Sequence, residues 1–250
     1  MIQRRALLAA PLLIAAAPKP PLAAVPISRL QVGWWKARHE AKLAELRARK
    51  PDLVFLGDSI TQNWEHAGPQ PWRNFAPTWQ RLYGARNPAN LGFSGDATSH
   101  LLWRIMNGEL DTIAPKAAVI LIGANNLGRL HWAPEDSITG ISAVVAETRR
   151  RLPHTRLLLL GVLPSIRSDS ATAATLTINA GLAKRYGGNS TPNVTYLDVG
   201  HVFMKGGQVD PTQFYDPLLT PPEPPLHPTA AAQERMALAW EPTLAALLAS

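Results

Sequence analysis

Ser59 lies in Phe55-Leu56-Gly57-Asp58-Ser59-Ile60-Thr61, just past the apolar run Leu53, Val54, Phe55 and Leu56. The run reads as a buried strand with a hydroxyl left at its tip. Strand-to-turn junctions hold a reactive group well, because the sheet fixes the backbone while the turn exposes the side chain. Gly-Asp-Ser by itself is ordinary turn chemistry. Three further segments give it company: Gly92-Phe93-Ser94-Gly95-Asp96, Gly123-Ala124-Asn125-Asn126 and Leu226-His227-Pro228-Thr229. Together these residue types supply the parts of acyl transfer: a nucleophile, a base, and donors for the oxygen that becomes negative.

A serine hydroxyl attacks poorly at neutral pH unless a base removes its proton. His227 is the candidate base, since imidazole titrates near neutrality. The candidate oxyanion donors are the backbone N–H groups of Ser59 and Gly95 and the side-chain amide of Asn125. Glycine lets a substrate approach the backbone closely, and asparagine donates without a change of protonation. Plainer readings exist for each: turn residues for Ser59 and Gly95, an Asn-turn for Asn125, a helix-entry residue for His227. The agreement of four segments favours the chemical reading. His66, His100, His131, His154 and His201 show no metal-ligand spacing and read as surface or structural residues. His39-Glu40-Ala41-Lys42-Leu43 begins like a zinc-protease signature, but Leu43 stands where a second histidine is needed.

Elements that would carry these residues follow from the apolar pattern. Besides residues 53–56, buried parallel strands are expected at residues 90–91, 117–122, 157–162 and 194–199. Helical patterns fall near residues 27–50, 72–83, 98–106, 138–152 and 171–186. Leu101, Leu102, Ile105 and Met106 make one apolar face, closed by Asn107-Gly108. A last helix follows Pro228, with Thr229 as N-cap and a break expected at Pro242. Alternating strands and helices predict an α/β fold: a parallel five-stranded sheet covered on both faces, with ligands at the carboxyl ends of its strands. Ser59, Gly95 and Asn125 each fall just past such a strand.

The 250 residues, 46% of them hydrophobic, suffice for one large core and one domain. Met1 to Ala17 joins Arg4-Arg5 to a short apolar stretch, the shape of an export leader of the twin-arginine kind. Residues 18–26 are proline-rich, and cleavage is expected after Ala24, leaving residues 25–250 as the domain in a periplasmic or secreted location. The leader's apolar stretch is too short to span a bilayer, which needs roughly 20 residues. The net charge of +7 is inflated by Arg4, Arg5 and Lys19 in this segment, and no Lys/Arg run or nucleic-acid motif accompanies it, so a nucleic-acid partner is not expected. Absence of cysteine excludes thiol catalysis and Cys-based zinc sites. No phosphate loop or dinucleotide fingerprint is present, and neither cofactor nor metal is expected.

These blocks resemble the SGNH (GDSL) hydrolase superfamily. The segment from Gly95 through Trp103-Arg104-Ile105-Met106-Asn107-Gly108-Glu109-Leu110, with Gly123-Ala124-Asn125-Asn126, is similar to the platelet-activating factor acetylhydrolase catalytic-subunit type. The resemblance covers about residues 51–240. It implies a flavodoxin-like three-layer sandwich, an open site and metal-free hydrolysis of esters, often acetyl or short acyl. By motif position it gives Ser59 as nucleophile, Gly95 and Asn125 as oxyanion donors, and His227 as base. The elbow of the larger α/β-hydrolases, Gly-x-Ser-x-Gly, is absent, because Thr61 stands at the second glycine.

One departure matters. The family's aspartate three residues before the histidine is Pro224 in this chain. That acid orients the imidazole and stabilises its cation, and neutralising its equivalent in a serine protease costs about four powers of ten in rate. Three replacements are open: Glu223, one residue earlier with a longer side chain; a backbone carbonyl; or Asp216 or Asp210 folding back. The expected function is a serine esterase acting on a small-molecule, lipid or glycan ester. A weakly catalytic module binding acylated glycans or lipids, and an O-acyltransferase using the same site, are the alternatives. Neither the alcohol nor the oligomeric state is legible.

Overall fold

Five short, almost wholly apolar runs become the strands of one sheet in the computed structural model, which describes residues 19–249. They are β1 (Leu53–Gly57), β2 (Pro88–Gly92), β3 (Ala117–Leu121), β4 (Arg156–Leu160) and β5 (Val194–Leu197). Every residue of β1, β2 and β3 is buried, as expected where helices cover both faces. The order is β2-β1-β3-β4-β5 and each neighbouring pair is parallel. The chain leaves β1 first toward β2 and then returns past it to β3, so the order reverses around β1, the place where such sheets open a crevice.

Strand alternation builds two cores. Val54, Leu56, Ile120 and Leu157 face one layer with Leu46, Leu101, Ile141 and Ile178, which come from helices α1 (Gly33–Ala48), α4 (Thr98–Arg104), α6 (Pro134–Arg151) and α7 (Asp169–Tyr186). Leu53, Phe55, Val119 and Leu158 face the other with Tyr83, Met236, Trp240 and Leu244, from α3 (Ala76–Tyr83) and α8 (Ala230–Ala249). The result is a three-layer α/β sandwich. Two one-turn helices, α2 (Ser59–Gln62) and α5 (Ala124–Gly128), cap the carboxyl ends of β1 and β3.

Several boundaries differ from the sequence pattern for identifiable reasons. The first helix starts at Gly33, because the backbone of Ile27 donates to Ser99 O and holds the preceding segment extended. The pattern over residues 72–83 splits into a 3-10 turn, Pro71–Arg73, and α3. Pro77 sits in the first turn of α3, where its missing N–H costs nothing, whereas a continuous helix would set its ring against the Arg73 carbonyl. Thr229 caps α8 by accepting from Ala232 N. That helix runs through Pro242 where a break was expected: Trp240 and Leu244 are buried on either side, and the carbonyl freed at Leu238 belongs to a half-exposed residue that water can serve.

Of the expected leader, residues 1–18 lie outside the described residues. Leu22–Ala24 form a 3-10 turn, and Ala23 is buried with its carbonyl accepting from Thr98 Oγ1 at 2.7 Å. Among the described residues, no helix is long and apolar enough to cross a membrane.

Candidate active site

The three loops that follow β2, β1 and β3 are next neighbours because those strands are, and they bring Gly95, Ser59 and Asn125 to one end of the sheet. At the tip of β1, the Asp58 carboxylate accepts from Ile60 N at 3.0 Å and so caps α2. Ser59 becomes the first residue of that helix, with a backbone N–H that has no acceptor among the described residues. Its side chain is buried to 8% exposure. Gly95 lies at φ +74°, a left-handed conformation that favours glycine, and its N–H likewise has no acceptor among the described residues. Asn125 Nδ2 donates to Asp96 O at 2.9 Å, which ties the amide beside Gly95. Its contact with Asp58 Oδ2 is long, at 3.4 Å, which leaves that N–H able to donate a hydrogen bond to a bound oxyanion. Losing one such donor typically costs about 2.7–4 kcal/mol of barrier.

A single buried guanidinium fixes both backbone loops. Arg104, fully buried, donates from Nη2 to Gly57 O at 3.2 Å and from Nε to Asp96 Oδ2 at 2.8 Å. Its Nη1 pairs with Glu109. Asp96 accepts further from Trp35 Nε1 and Arg29 Nη1. Burial alone would raise the Glu109 pKa, but the Arg104 charge and hydrogen bonds hold it below the usual carboxylate range. Met106, assigned by its spacing to the apolar face of α4, is instead 42% exposed, and Arg104 occupies the interior.

From the opposite side comes His227. Its Nε2 lies 2.9 Å from Ser59 Oγ and its Nδ1 lies 2.5 Å from Asp216 Oδ1. Asp216 also accepts from Leu226 N at 2.8 Å and His227 N at 2.5 Å. Burial raises its pKa, but the hydrogen bond and charge of His227 and the two backbone donors more than offset this and hold it below the usual value. An ionised carboxylate can only accept, so Nδ1 carries the imidazole proton and the Nε2 lone pair faces the serine hydroxyl. The Tyr215 ring stacks on the imidazole, centroids 5.3 Å apart and planes 11° off parallel.

Asp216, rather than Glu223, is therefore the acid on the imidazole. Glu223 is exposed, its side chain makes no ion pair or hydrogen bond among the described residues, and only its backbone N–H engages the site, by donating to Asp216 O. Its neighbours Pro222, Pro224 and Pro225 stiffen the loop. Asp210 is committed to capping the 3-10 turn at Pro211–Gln213. Asp216 reaches the ring because two backbone bonds, Tyr215 N to His227 O and Thr229 N to Gln213 O, zip its segment antiparallel to the histidine's. No sequence spacing announces that pairing across a proline-rich loop. Among the described residues, no group of histidines and acids is disposed to hold a metal.

Comparison with known proteins bears on the family and the fold. Residues 55–235 match the GDSL-like Lipase/Acylhydrolase family. The alpha1 subunit of platelet-activating factor acetylhydrolase IB from Bos taurus is 36% identical over 132 residues, covering 53% of this chain and 52% of that protein. The alpha2 subunit from Gallus gallus is 31% identical over 176 residues, 68% and 69% of the two chains. The chain thus spans about half the length of most of the curated relatives it matches. Among solved structures, a carbohydrate esterase family 3 protein from Talaromyces cellulolyticus superposes with a TM-score of 0.57 at 17% identity, over 78% of this chain and 97% of that one, a likeness of fold. The motif order, the fold and the matched residues lead to one conclusion: this chain belongs to the GDSL-like lipase/acylhydrolase family.

Proposed function

We propose that the protein is a serine esterase that hydrolyses short-chain, acetyl-like carboxylic esters through an acyl-Ser59 intermediate. The observation that carries this reading is the unbroken chain Ser59 Oγ, His227 Nε2, His227 Nδ1, Asp216 Oδ1, with spacings of 2.9 and 2.5 Å. His227 takes the Ser59 proton as Oγ attacks the ester carbonyl. The carbonyl oxygen becomes negative between the N–H groups of Ser59 and Gly95 and the Asn125 amide. The alcohol leaves with the proton from Nε2, and the same nitrogen then activates the water that releases the acid. Asp216 keeps the ring in the required tautomer and stabilises its cation.

Short acyl groups are supported by the names of the curated relatives, subunits of platelet-activating factor acetylhydrolase IB. Because Asp216 supplies the missing acid, the ground for a weakly catalytic binding module falls away. Export on a leader that ends before Ala23, which packs into the domain, forms part of the same proposal.

The test is Ser59→Ala with p-nitrophenyl acetate. Hydrolysis is expected to vanish while the thermal midpoint stays unchanged, and a fluorophosphonate probe is expected to label the wild type at Ser59 alone. Retained turnover in the folded variant would remove the mechanism.

A further inference from the structure

Gly95 can serve as an oxyanion donor only if the peptide joining it to Ser94 faces the right way. Asp96 N donates to Phe93 O at 3.1 Å, so residues 93–96 form a β-turn. The φ of +74° at Gly95, its third residue, makes the turn type II. Type I and type II turns differ chiefly by a half-rotation of the central peptide, here Ser94–Gly95. Glycine tolerates both forms, so the residue type alone does not choose between them. In a trans peptide the carbonyl and the N–H point in opposite directions. A flip would therefore withdraw the Gly95 N–H and put the Ser94 carbonyl oxygen in its place, where it would repel a developing negative charge.

One side chain holds the carbonyl end of that peptide. Arg29 Nη1 donates to Ser94 O and to Asp96 Oδ1, both at 2.9 Å. A single nitrogen thus grips the residues on either side of Gly95. Asp96 is fully buried, and the Arg29 side chain is 13% exposed. Among the described residues nothing else bonds Ser94 O. The segment that carries Arg29 is itself pinned to α4. Ile27 N donates to Ser99 O at 3.1 Å, and Ala23 O accepts from Thr98 Oγ1 at 2.7 Å. All of these strap residues precede residues 55–235, which match the family.

We propose that Arg29 is a positioning residue for the hydrolysis: it latches the Ser94–Gly95 peptide in the orientation that aims the Gly95 N–H at the oxyanion. The inference rests on the esterase reading and adds to it a part of the chain that the family match leaves out. Arg29 touches neither substrate nor nucleophile and acts through the peptide plane. Its role also differs from that of Arg104. Without Arg29, Asp96 keeps its bonds from Trp35 Nε1 and Arg104 Nε, so no buried charge is stranded and the loss is felt in rate more than in stability.

Steady-state kinetics with p-nitrophenyl acetate provide the test. Arg29→Met should lower kcat by about tenfold or more, the scale of a misdirected oxyanion donor. KM should stay within about twofold, and the pH midpoint of kcat/KM, which reports the untouched His227, should not move. Arg29→Lys should recover most of the loss, because both bonds come from one nitrogen and an ammonium can make both. Arg86→Met breaks a part-buried pair with Glu241 in the turn before β2 and should leave kcat unchanged. The Gly95 amide resonance of isotope-labelled protein reads the latch without turnover. It should shift or broaden in Arg29→Met, as the peptide samples both orientations, and stay in place in Arg86→Met. A kcat within about twofold of wild type in folded Arg29→Met, a displaced pH midpoint, equal losses in the lysine and methionine variants, or an unmoved Gly95 resonance would overturn the latch while wild-type hydrolysis still stood. A wild type without hydrolysis whose Gly95 resonance still moves in Arg29→Met would instead sink the esterase reading alone.

Discussion

The two sides of Ser59 are held by different physical means. On the oxyanion side, Arg104 is fully buried and bonded to Gly57 O, Asp96 and Glu109, with Trp35 and Arg29 closing the ring of donors around Asp96. On the histidine side, Asp216 and His227 arrive on two chain segments zipped by a few backbone hydrogen bonds, flanked by residues 217–224, all exposed but half-buried Leu219. In the proposed mechanism the first region fixes groups that must stay still while charge develops between them, and the second holds a ring that accepts and returns a proton in each half-reaction. Buried charge makes a rigid frame but is costly to disturb, because removing one partner strands the others in a low-dielectric interior. Backbone pairing on an arm costs less to perturb in the fold, and its failure is felt in rate.

This contrast predicts that substitutions in the Asp216–His227 arm act on turnover and those in the Arg104 network act on stability. The largest effect is expected from Asp216→Asn. It should lower kcat by about four powers of ten, as in the serine-protease analogy, with a small change in the denaturation midpoint. Glu223→Gln should stay within about twofold of wild type. Steady-state rates with p-nitrophenyl acetate decide between them, and a comparable loss in the glutamate variant would restore Glu223 as the acid.

Next comes Arg104→Ala, which leaves Asp96 and Glu109 buried without their cation. A loss of about 3–5 kcal/mol is expected, read from urea denaturation. A loss below about 1 kcal/mol would mean that the network contributes little, and the contrast between the two sides would collapse.

How much of this was legible in the sequence follows the same division. Strand ends were readable because apolar runs stop at Gly-Asp-Ser, Gly-x-Ser-Gly and Gly-Ala-Asn-Asn, and a parallel sheet sets those stops side by side. Ser59, Gly95, Asn125 and His227 could be named for that reason. Asp216 was legible only as one of several open candidates, because its place depends on residues 213–215 pairing with 227–229 across an intervening loop, a tertiary register without local periodicity. Arg104 was hidden for a different reason. Spacing assigned Met106 to the apolar face of α4, and nothing in a heptad-like pattern marks a charged residue as interior when its partners, Asp96 and Glu109, lie beyond either end of the helix. Ala23 was read as part of a leader and linker, yet it packs under Thr98, since composition cannot distinguish a proline-rich spacer from a proline-rich strap.

Asp58 lies on the seam between the two sides and gives the smallest and sharpest test. It is fully buried, and burial raises its pKa from the ordinary 3.8 to about 6, with the Asp96 charge adding to the rise and Ile60 N, His227 and Arg167 opposing it. The folded state therefore binds this proton more tightly than the unfolded chain does. Stability from this group is greatest below the unfolded value, declines as pH rises from about 4 to about 6, and is level above that. Asp216 has the opposite sign, since its pKa is held low: its contribution is present at neutral pH and is lost as pH falls through the lowered value. A bulk stability–pH curve mixes the two, but the difference between wild type and Asp58→Asn isolates the first. Asparagine keeps the cap to Ile60 N and removes the titration. Its stability relative to wild type should rise by about 3 kcal/mol between pH 4 and pH 7, two pKa units at about 1.4 kcal/mol each, measured as denaturation midpoints at both values. A difference that does not vary with pH would mean that the neighbouring donors already satisfy the Asp58 charge. The seam would then behave like the buried ion network on the oxyanion side rather than as a carboxylate placed at a cost behind the nucleophile.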